Sequence, residues 1–524
     1  MTKRKEIIYR LFPFLILIPF FIFLRRYFNI DFWYDEVFTL TNYVFCPIKK
    51  TITDYSFPNN HILANLINNL YLKIFGIKDI YQLLEAPYKI RLLELLYTLI
   101  TLFYLYRLGK RFFNQTIALL ALATFVTTVT YYNFALQVRG FSLSIMLSTI
   151  LFYYLLSFLQ KPNFPSGLII TFTTAFTLYA IPSNLYLILA IFGYYFFPLF
   201  LHHRRRKEKV KVKNKGKGKD ELVKEKGRLK GLDAGIKKVR FSLLSFLTAG
   251  IFLAILFYSP VLKDVLSNRF VQSRGLFYVP TLSQTMPFTF AHFLSGRYLF
   301  IPIIILGLIS YWQKRKRSYL GLLIFTLLVP FFFSFIRGDR PYHRIFVILT
   351  PFFALFLSIL TESILDLMGK NFPKVFLVLG IVIYNYLTFG FQLKHIERKI
   401  ANDITEGIQS QDLNYNYYQF HYRPFSLLKA FKKIYESNPL PVFLGEYDRA
   451  ALPVYLTKFN IPWGHLSSQE DFFTTIEEKG GIYVITAFPN RLLRWLTNFS
   501  NLEVKRINED LDFHNIFTVR KIFY

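Results

Sequence analysis

Apolar stretches of about 20 residues, separated by polar segments of varied length, recur along the chain from its start to residue 393. A helix of that length spans the hydrocarbon core of a bilayer, so each stretch predicts a transmembrane helix. The uncharged run 162–201 is too long for one helix, and Pro182-Ser183-Asn184 supplies a turn that divides it. The eleven predicted spans are 7–27, 90–107, 113–133, 140–160, 166–182, 184–201, 241–262, 298–313, 318–336, 345–366 and 375–393.

The pattern changes after residue 393. Apolar runs become short, as in PVFLGEY, GIYVITAF and FTVRKIFY, which is typical of strands, and they alternate with helical patterns such as FSLLKAFKKIYES. We therefore expect a small α/β domain over 394–524, after a membrane domain over 1–393. Within the latter, 28–89 is a long loop, and the apolar spacing of 60–75 predicts a helix lying in the membrane interface.

The distribution of positive charge predicts the orientation of the chain. The formal net charge is +31, and residues 204–240 alone hold 17 Lys and Arg against five Asp and Glu. This concentration argues against a nucleic-acid partner. The segment 202–240 has too little apolar content to fold, so we expect it to be disordered. It falls on the same side of the membrane as MTKRKE, RLGKRF, WQKRKRS and GKNFPK when the spans alternate, and basic loops mark the cytoplasmic side.

The N-terminus is therefore expected in the cytoplasm, with 28–89, 263–297 and 394–524 outside a plasma membrane. A hydrophobic content of 53% and an aromatic content of 19% exclude an ordinary soluble protein. Cys46 is the single cysteine, which excludes an internal disulfide and a cysteine-based metal cluster.

An acidic pair, Asp35-Glu36, follows the first span in FNIDFWYDEVFTLTNY. A solvated loop is the ordinary explanation for such a pair. The interfacial helix that follows favours a functional explanation instead. A carboxylate held between such helices and the bilayer would be partly desolvated. Desolvation would raise its pKa towards that of a useful base. Asp31, the third carboxylate of the stretch, is expected to be an ordinary interfacial residue.

Several arginines lie near the outer membrane boundary, where cations are disfavoured. They are Arg139, Arg297 and the cluster Arg337, Arg340 and Arg344 in FIRGDRPYHRIF. Each could reach lipid headgroups, pair with a carboxylate or bind an anionic ligand. For the group as a whole we favour phosphate, which suits the guanidinium fork. A base that faces these arginines suggests a lipid-phosphate substrate. The base would activate the acceptor nucleophile, and the arginines would bind and neutralise the phosphate leaving group.

The ordered motifs of the chain resemble a known family. After the acidic pair come FPNNHILANLINNLYLKIFG, APYKIRLLELLYTLITLFYLYRLGKRFFNQTIALLALA and ALQVRGFSLSIMLS, and PYHRIFVILTPFFALFLS follows late in the membrane domain. This series resembles the dolichyl-phosphate-mannose protein mannosyltransferase and aminoarabinose transferase group of GT-C integral-membrane glycosyltransferases. The resemblance is good over 28–158 and weak through the middle of the chain. It implies a mostly α, polytopic helix bundle of GT-C type.

The resemblance also implies an activity and a set of site residues. The donor would be a sugar on a polyprenyl or dolichyl phosphate, and the acceptor a protein, lipid or glycan. Transfer would occur outside the cytoplasm with inversion. Asp35 would be the base with Glu36 its partner. The donor phosphate would be bound by Arg139, Arg344, Arg337 and Arg340, and other substrate contacts would come from His61, Asn60, Gln137, Tyr342 and His343. Phe141 stands where the family has tyrosine.

No cofactor is expected. A carboxylate pair could bind a divalent metal, but the family implies a metal-free reaction. A transporter or flippase for a lipid-linked sugar is the main alternative, because it too would have many spans and buried arginines. The absence of a visible sequence repeat and the large outer segments favour an enzyme. A scaffold protein is a third possibility, but it would not explain the acidic pair and the arginines.

Overall fold

The structure, a computed structural model, is mostly helical and has a small mixed sheet near its C-terminal end. The described residues are 3–197, 219–268, 282–313, 318–337, 343–367, 374–406, 422–445, 451–465, 469–487, 496, 501–508 and 514–522. The helices up to residue 406 are α1 (Lys3–Leu24), α2 (Tyr34–Thr39), α3 (Ile48–Thr53), α4 (Ile62–Ile74), α5 (Ile80–Glu85), α6 (Tyr88–Phe112), α7 (Gln115–Val126), α8 (Val129–Phe134), α9 (Phe141–Gln160), α10 (Phe164–Ala180), α11 (Pro182–Phe197), α12 (Lys219–Tyr258), α13 (Leu262–Ser267), α14 (Leu282–Leu294), α15 (Phe300–Gln313), α16 (Ser318–Arg337), α17 (Thr350–Leu365) and α18 (Lys374–Glu406).

Each of the eleven predicted spans overlaps at least one of these helices, and the predicted division of 162–201 falls on the 3-10 turn Pro182–Asn184. Among the described residues, five segments are long and apolar enough to cross a bilayer, and five shorter apolar helices accompany them. The five long segments are Tyr88–Phe112, Phe141–Gln160, Lys237–Ser267, Arg344–Leu365 and Val375–Asn402. The protein is therefore a multi-pass membrane protein. Its number of crossings and its orientation stay predictions.

Helix α7 lies at the centre of the bundle, in contact with α1, α6, α17 and α18. Its residues 117–126 are all buried. A Cβ on Gly109 of α6 would lie 2.6 Å from the Cα of Ala118, so only glycine lets the two helices approach this closely. Helix α7 also contacts α8, which leads into the turn before α9.

The loop 28–89 contains the four helices α2, α3, α4 and α5. The predicted interfacial helix is present as α4, and its asparagine face is turned into the protein: Asn65, Asn68 and Asn69 are buried, whereas Leu70 and Ile74 are exposed. Of the loop expected to be disordered, residues 202–218 lie outside the described residues, and from Lys219 the backbone belongs to α12.

The predicted α/β domain is confirmed as helices packed on a five-stranded sheet of order β2-β1-β3-β5-β4. β1 pairs in parallel with β2 and β3, and β5 pairs antiparallel with β3 and β4. Phe472 and Ile476 of one helix pack against Val484 of the central strand. The elements are α19 (Pro424–Ser437), β1 (Val442–Leu444), α20 (Leu452–Lys458), β2 (Gly464–His465), α21 (Gln469–Lys479), β3 (Ile482–Thr486), β4 (Leu502–Arg506) and β5 (Asn515–Lys521).

Candidate active site

Asp35 lies in the first turn of the six-residue helix α2, and residues 28–33 separate this helix from the 3-10 turn that follows α1. The N-cap residue of the helix is Trp33, whose backbone N–H donates to Glu36 Oε2 at 2.8 Å. This bond satisfies one of the amide groups that a helix N-terminus leaves without a partner. The carboxylate of Asp35 therefore projects from a locally fixed turn.

Two arginines from distant parts of the chain contact Asp35. Arg139 Nη1 lies 2.8 Å from Asp35 Oδ2, and Arg344 Nη1 lies 3.2 Å from the same oxygen. Asn59 Nδ2 donates to Asp35 Oδ1 at 3.0 Å, and Asn59 Oδ1 accepts from Arg139 Nη2 at 3.1 Å. Arg139 is 3% exposed and Asp35 is 14% exposed. The site thus brings together the base and two of the four phosphate-binding arginines predicted from the sequence.

The pKa of Asp35 is lowered, which is opposite to our expectation. Burial by itself would raise the pKa, but the charges of Arg139 and Arg344 and the hydrogen bond from Asn59 together outweigh it. The expectation of a raised pKa was wrong because it counted desolvation and left out the arginines. Asp35 is therefore a carboxylate at neutral pH in this structure.

Glu36 points away from Asp35 and is 1% exposed. Its two oxygens accept backbone N–H groups, from Trp33 and, at 2.8 Å, from Val138. Arg91 Nη2 lies 3.7 Å from Glu36 Oε2. Glu36 therefore ties α2 to the turn that carries Arg139, and these contacts suit a positioning role rather than contact with substrate.

His61 is buried beside the same turn, where its Nδ1 accepts the backbone N–H of Gly140 at 2.9 Å. An accepting Nδ1 carries no proton, so the neutral ring bears its proton on Nε2. Burial and the charges of Arg139 and Arg344 lower the pKa of His61 well below its usual value, which favours this neutral form. The ring of Phe141 lies between the two, with the Arg139 guanidinium 5.0 Å and the His61 ring 5.5 Å from its centre.

The remaining predicted site residues fall into two groups. Asn60 and Gln137 are buried near the site. The Asn60 amide donates to the carbonyls of Thr51 and Asp54, so it shapes the loop, and it is Asn59 that contacts Asp35. Arg340 and Tyr342 lie outside the described residues, and so do the side chains of Arg337 and His343.

Arg297, the other arginine predicted to lie near the outer boundary, is fully buried and hydrogen-bonded within the bundle. Its guanidinium donates to the carbonyls of Phe293, Leu294 and Thr124 and to oxygens of Thr127, Thr128 and Asn385. These bonds occupy all of its donor nitrogens. Arg297 therefore holds α7, α14 and α18 together, and it is not part of the cluster around Asp35.

Two residues of the site were not selected from the sequence. Asn59 stands next to Asn60 in the loop, and nothing in a single sequence tells which amide faces Asp35. Arg91 lies in the first turn of α6, at the start of the predicted span 90–107 and so at the same predicted boundary as Arg139. The criterion applied to the other arginines could therefore have found it. Among the described residues, no group of three or more His, Cys, Asp and Glu is arranged to hold a metal ion.

Comparisons with known proteins agree with this architecture. The sequence profile of the family described as dolichyl-phosphate-mannose-protein mannosyltransferase matches residues 64–214, a range that includes Arg139 and begins after Asp35. A comparison with curated proteins finds no match. Among solved structures, the chain is similar to ArnT from Cupriavidus metallidurans bound to undecaprenyl phosphate, at 10% identity and a TM-score of 0.51, over 99% of this chain and 98% of that one.

The apo form of the same ArnT is similar at 12% identity and a TM-score of 0.50, over 97% of each chain. At such low identity the likeness establishes the fold. Together with the profile match, it confirms the resemblance that the sequence motifs predicted. The protein is thus a multi-pass membrane protein that shares the fold of ArnT, and its residues 64–214 match the dolichyl-phosphate-mannose-protein mannosyltransferase family.

Proposed function

We propose that the protein transfers a sugar from a polyprenyl-phosphate donor to an acceptor on the extracytoplasmic face of the membrane. The observation that carries this proposal is the contact of one carboxylate, Asp35, with two arginines, Arg139 and Arg344. The family profile names a transferase that uses a lipid-linked sugar, and a solved structure of the same fold binds undecaprenyl phosphate. Both support this class of donor.

The charges of the site suit a phosphate. Two guanidinium groups contact one carboxylate oxygen, so the three groups together carry one net positive charge. The site is largely buried. A net positive charge in such a place favours binding of an anion.

The reaction we propose is a direct displacement at the anomeric carbon. The acceptor oxygen or nitrogen attacks this carbon while the bond between the carbon and the phosphate oxygen breaks, and the configuration inverts. Asp35 takes the proton of the acceptor, and polyprenyl phosphate leaves with the bonding electron pair. Arg139 and Arg344 stabilise the charge that develops on the leaving phosphate.

The lowered pKa of Asp35 fits this sequence of events. A carboxylate paired with two arginines is a weak base, but a bound donor phosphate competes for the same N–H groups. Each contact that shifts from Asp35 to the phosphate removes an interaction that holds the pKa down. Binding of the donor would thus make Asp35 a stronger base at the moment when it is needed.

The test is transfer of label from a panel of radiolabelled polyprenyl-phosphate sugars in proteoliposomes that contain the purified protein. Asp35→Asn should lower transfer by about 100-fold or more, the usual contribution of a general base. Asp264→Asn is the matched control, because it makes the same change at an exposed position of α13. It should leave transfer unchanged.

Absence of turnover with every donor, by protein shown to be folded, would overturn the proposal. Near-normal transfer by the Asp35→Asn variant would remove Asp35 from the role of base. Movement of a labelled donor across the bilayer without cleavage of its sugar would instead support a transporter or flippase.

A further inference from the structure

The segment 27–36, which leads into Asp35, is in direct contact with the C-terminal domain. Asp31 Oδ2 accepts the backbone N–H of Phe425 at 2.8 Å. Phe425 is in the first turn of α19, which Arg423 precedes without a side-chain hydrogen bond to the helix. The amide groups of a first turn need outside acceptors. Asp31 supplies one from 394 residues away in the chain.

Two further contacts cover the residues next to Asp31. The hydroxyl of Tyr455, in α20, donates to the carbonyl of Phe32 at 3.2 Å. The ring of Trp33 meets that of Tyr422 edge to face, with centres 5.0 Å apart. All four of these aromatic side chains are at most 2% exposed. Two parts of the C-terminal domain, the stretch 422–425 and helix α20, therefore contact 31–33.

The membrane domain contacts the same segment from the other side. Arg91 of α6 donates to the carbonyls of Tyr27 and Ile30, and its guanidinium lies 5.1 Å from the centre of the Phe32 ring. The segment is thus held between Arg91 and the C-terminal domain.

This arrangement matters because α2 is only six residues long. A helix of one and a half turns has too few internal hydrogen bonds to fix its own orientation, so its flanking contacts decide it. Trp33 is the residue before the helix that carries Asp35, and Asp31 lies two residues before Trp33. A change in their position would move the Asp35 carboxylate relative to Arg139 and Arg344.

We infer that the C-terminal domain positions the catalytic carboxylate, and that Asp31 is a positioning residue whose contact with Phe425 sets the place of Asp35. This inference rests on the proposed glycosyl transfer. It assigns a positioning role to the C-terminal domain, in which none of the predicted site residues lies.

The test compares two substitutions at one position with a control elsewhere in the same interface, all in the full-length protein. Asp31→Ala removes the acceptor for the Phe425 amide, whereas Asp31→Asn keeps an oxygen in its place. The control is Glu85→Gln, which weakens the 2.6 Å ion pair of Glu85 with Lys458. That pair also joins the membrane domain to α20, but it does not involve 27–36.

We expect Asp31→Ala to lower kcat about tenfold or more with little change in donor KM, because a small displacement of a reacting group has effects of this size. The acid limb of its pH profile should move to higher pH, as Asp35 loses contact with the arginines. Asp31→Asn should recover most of kcat, and Glu85→Gln should match the wild type. Tyr455→Phe, which removes a single oxygen, should shift the same quantities in the same direction by less.

Hydrogen exchange separates this inference from the proposed function, because it needs no substrate. Amides of 31–39 should exchange faster in Asp31→Ala than in the wild type or in Glu85→Gln, with melting temperatures in detergent checking that each variant is folded. Unchanged exchange and unchanged kinetics in Asp31→Ala would overturn the inference. Faster exchange in a protein that transfers no sugar would support the coupling and refute the proposed reaction instead.

Discussion

Arg139 Nη1 lies 2.8 Å from Asp35 Oδ2, although 104 residues separate the two positions. Asn59 bridges them, since its amide nitrogen donates to Asp35 and its amide oxygen accepts from Arg139. The three side chains form a closed ring of hydrogen bonds, and Arg344 extends it from a fourth part of the chain. These hydrogen bonds favour the ionised form of Asp35, and they also hold the guanidinium of Arg139 in one orientation.

The guanidinium of Arg139 should not be replaceable by an ammonium group. Arg139 contacts Asp35 and Asn59 through two different nitrogens, and lysine has only one. We expect Arg139→Lys to lower kcat/KM for the donor about tenfold or more, since one charge-assisted hydrogen bond is lost. Steady-state kinetics in proteoliposomes measures this.

Arg26→Lys is the control for that substitution. Arg26 pairs with Glu397 at 3.0 Å, but its side chain is 52% exposed, so its ion pair contributes little. An Arg139→Lys variant with kinetics like those of Arg26→Lys would show that the guanidinium fork is not used.

The pH dependence of transfer should reflect the lowered pKa of Asp35. A base must be deprotonated to act, and the pKa of Asp35 lies below its ordinary value of 3.8, so kcat/KM should stay level from neutral pH down to about pH 5. Asn59→Ala removes a hydrogen bond that lowers this pKa, so its acid limb should appear at higher pH.

Asn42→Ala serves as the control, because the Asn42 amide donates to the carbonyl of Phe38 at the other end of α2. The measurement is kcat/KM against pH, which reports groups of the free enzyme. An acid limb near neutral pH in the wild type would contradict the lowered pKa.

The stability of the fold should depend on pH through His61. Its pKa in the folded protein lies well below the usual 6.5, so the unfolded chain takes up a proton first as the pH falls. Stability is therefore full above pH 6.5 and declines below it, by up to about 1.4 kcal/mol per pH unit for this one group.

His61→Asn tests this dependence, because asparagine keeps an acceptor for the Gly140 amide and does not titrate. Unfolding midpoints in detergent at pH 7.5, 6.5 and 5.5 should fall less steeply in the variant than in the wild type. Equal slopes in both proteins would mean that His61 is not the titrating group.

Gly140 should be intolerant of a side chain. A Cβ there would lie 3.1 Å from His61 Cβ and 3.3 Å from the carbonyl oxygen of Ala180. Since neither neighbour is the free end of a flexible chain, Gly140→Ala should displace the turn that carries Arg139, at a cost of about 1–3 kcal/mol in stability. Thermal unfolding and transfer rate are both measured.

Gly380→Ala is the matched control, because nothing lies within 4 Å of a Cβ at that position of α18. It should be neutral or slightly stabilising, as alanine favours a helix over glycine. Equal effects of the two substitutions would show that the close contact of Gly140 with His61 is not required.

The helices of the membrane domain were predictable because the bilayer imposes their length and apolar character on the sequence. The division at 182–184 and the change to a mixed sheet after residue 393 were readable for the same kind of reason, since proline and short apolar runs are local signals. The role of Arg297, by contrast, depends on residues that are distant in the sequence. Its position near the boundary suggested a ligand, and only the packed bundle revealed the carbonyls and hydroxyls that occupy it.

The sequence by itself therefore determined the class of fold and the types of residue at the site, because these follow from local patterns and from the order of motifs. The tertiary structure decided which of them meet. It placed Asn59 rather than Asn60 against Asp35, turned Glu36 to the backbone, and made Asp31 a link to the C-terminal domain. It also reversed the expected shift of the Asp35 pKa, because that shift depends on charges brought from residues 139 and 344 by folding.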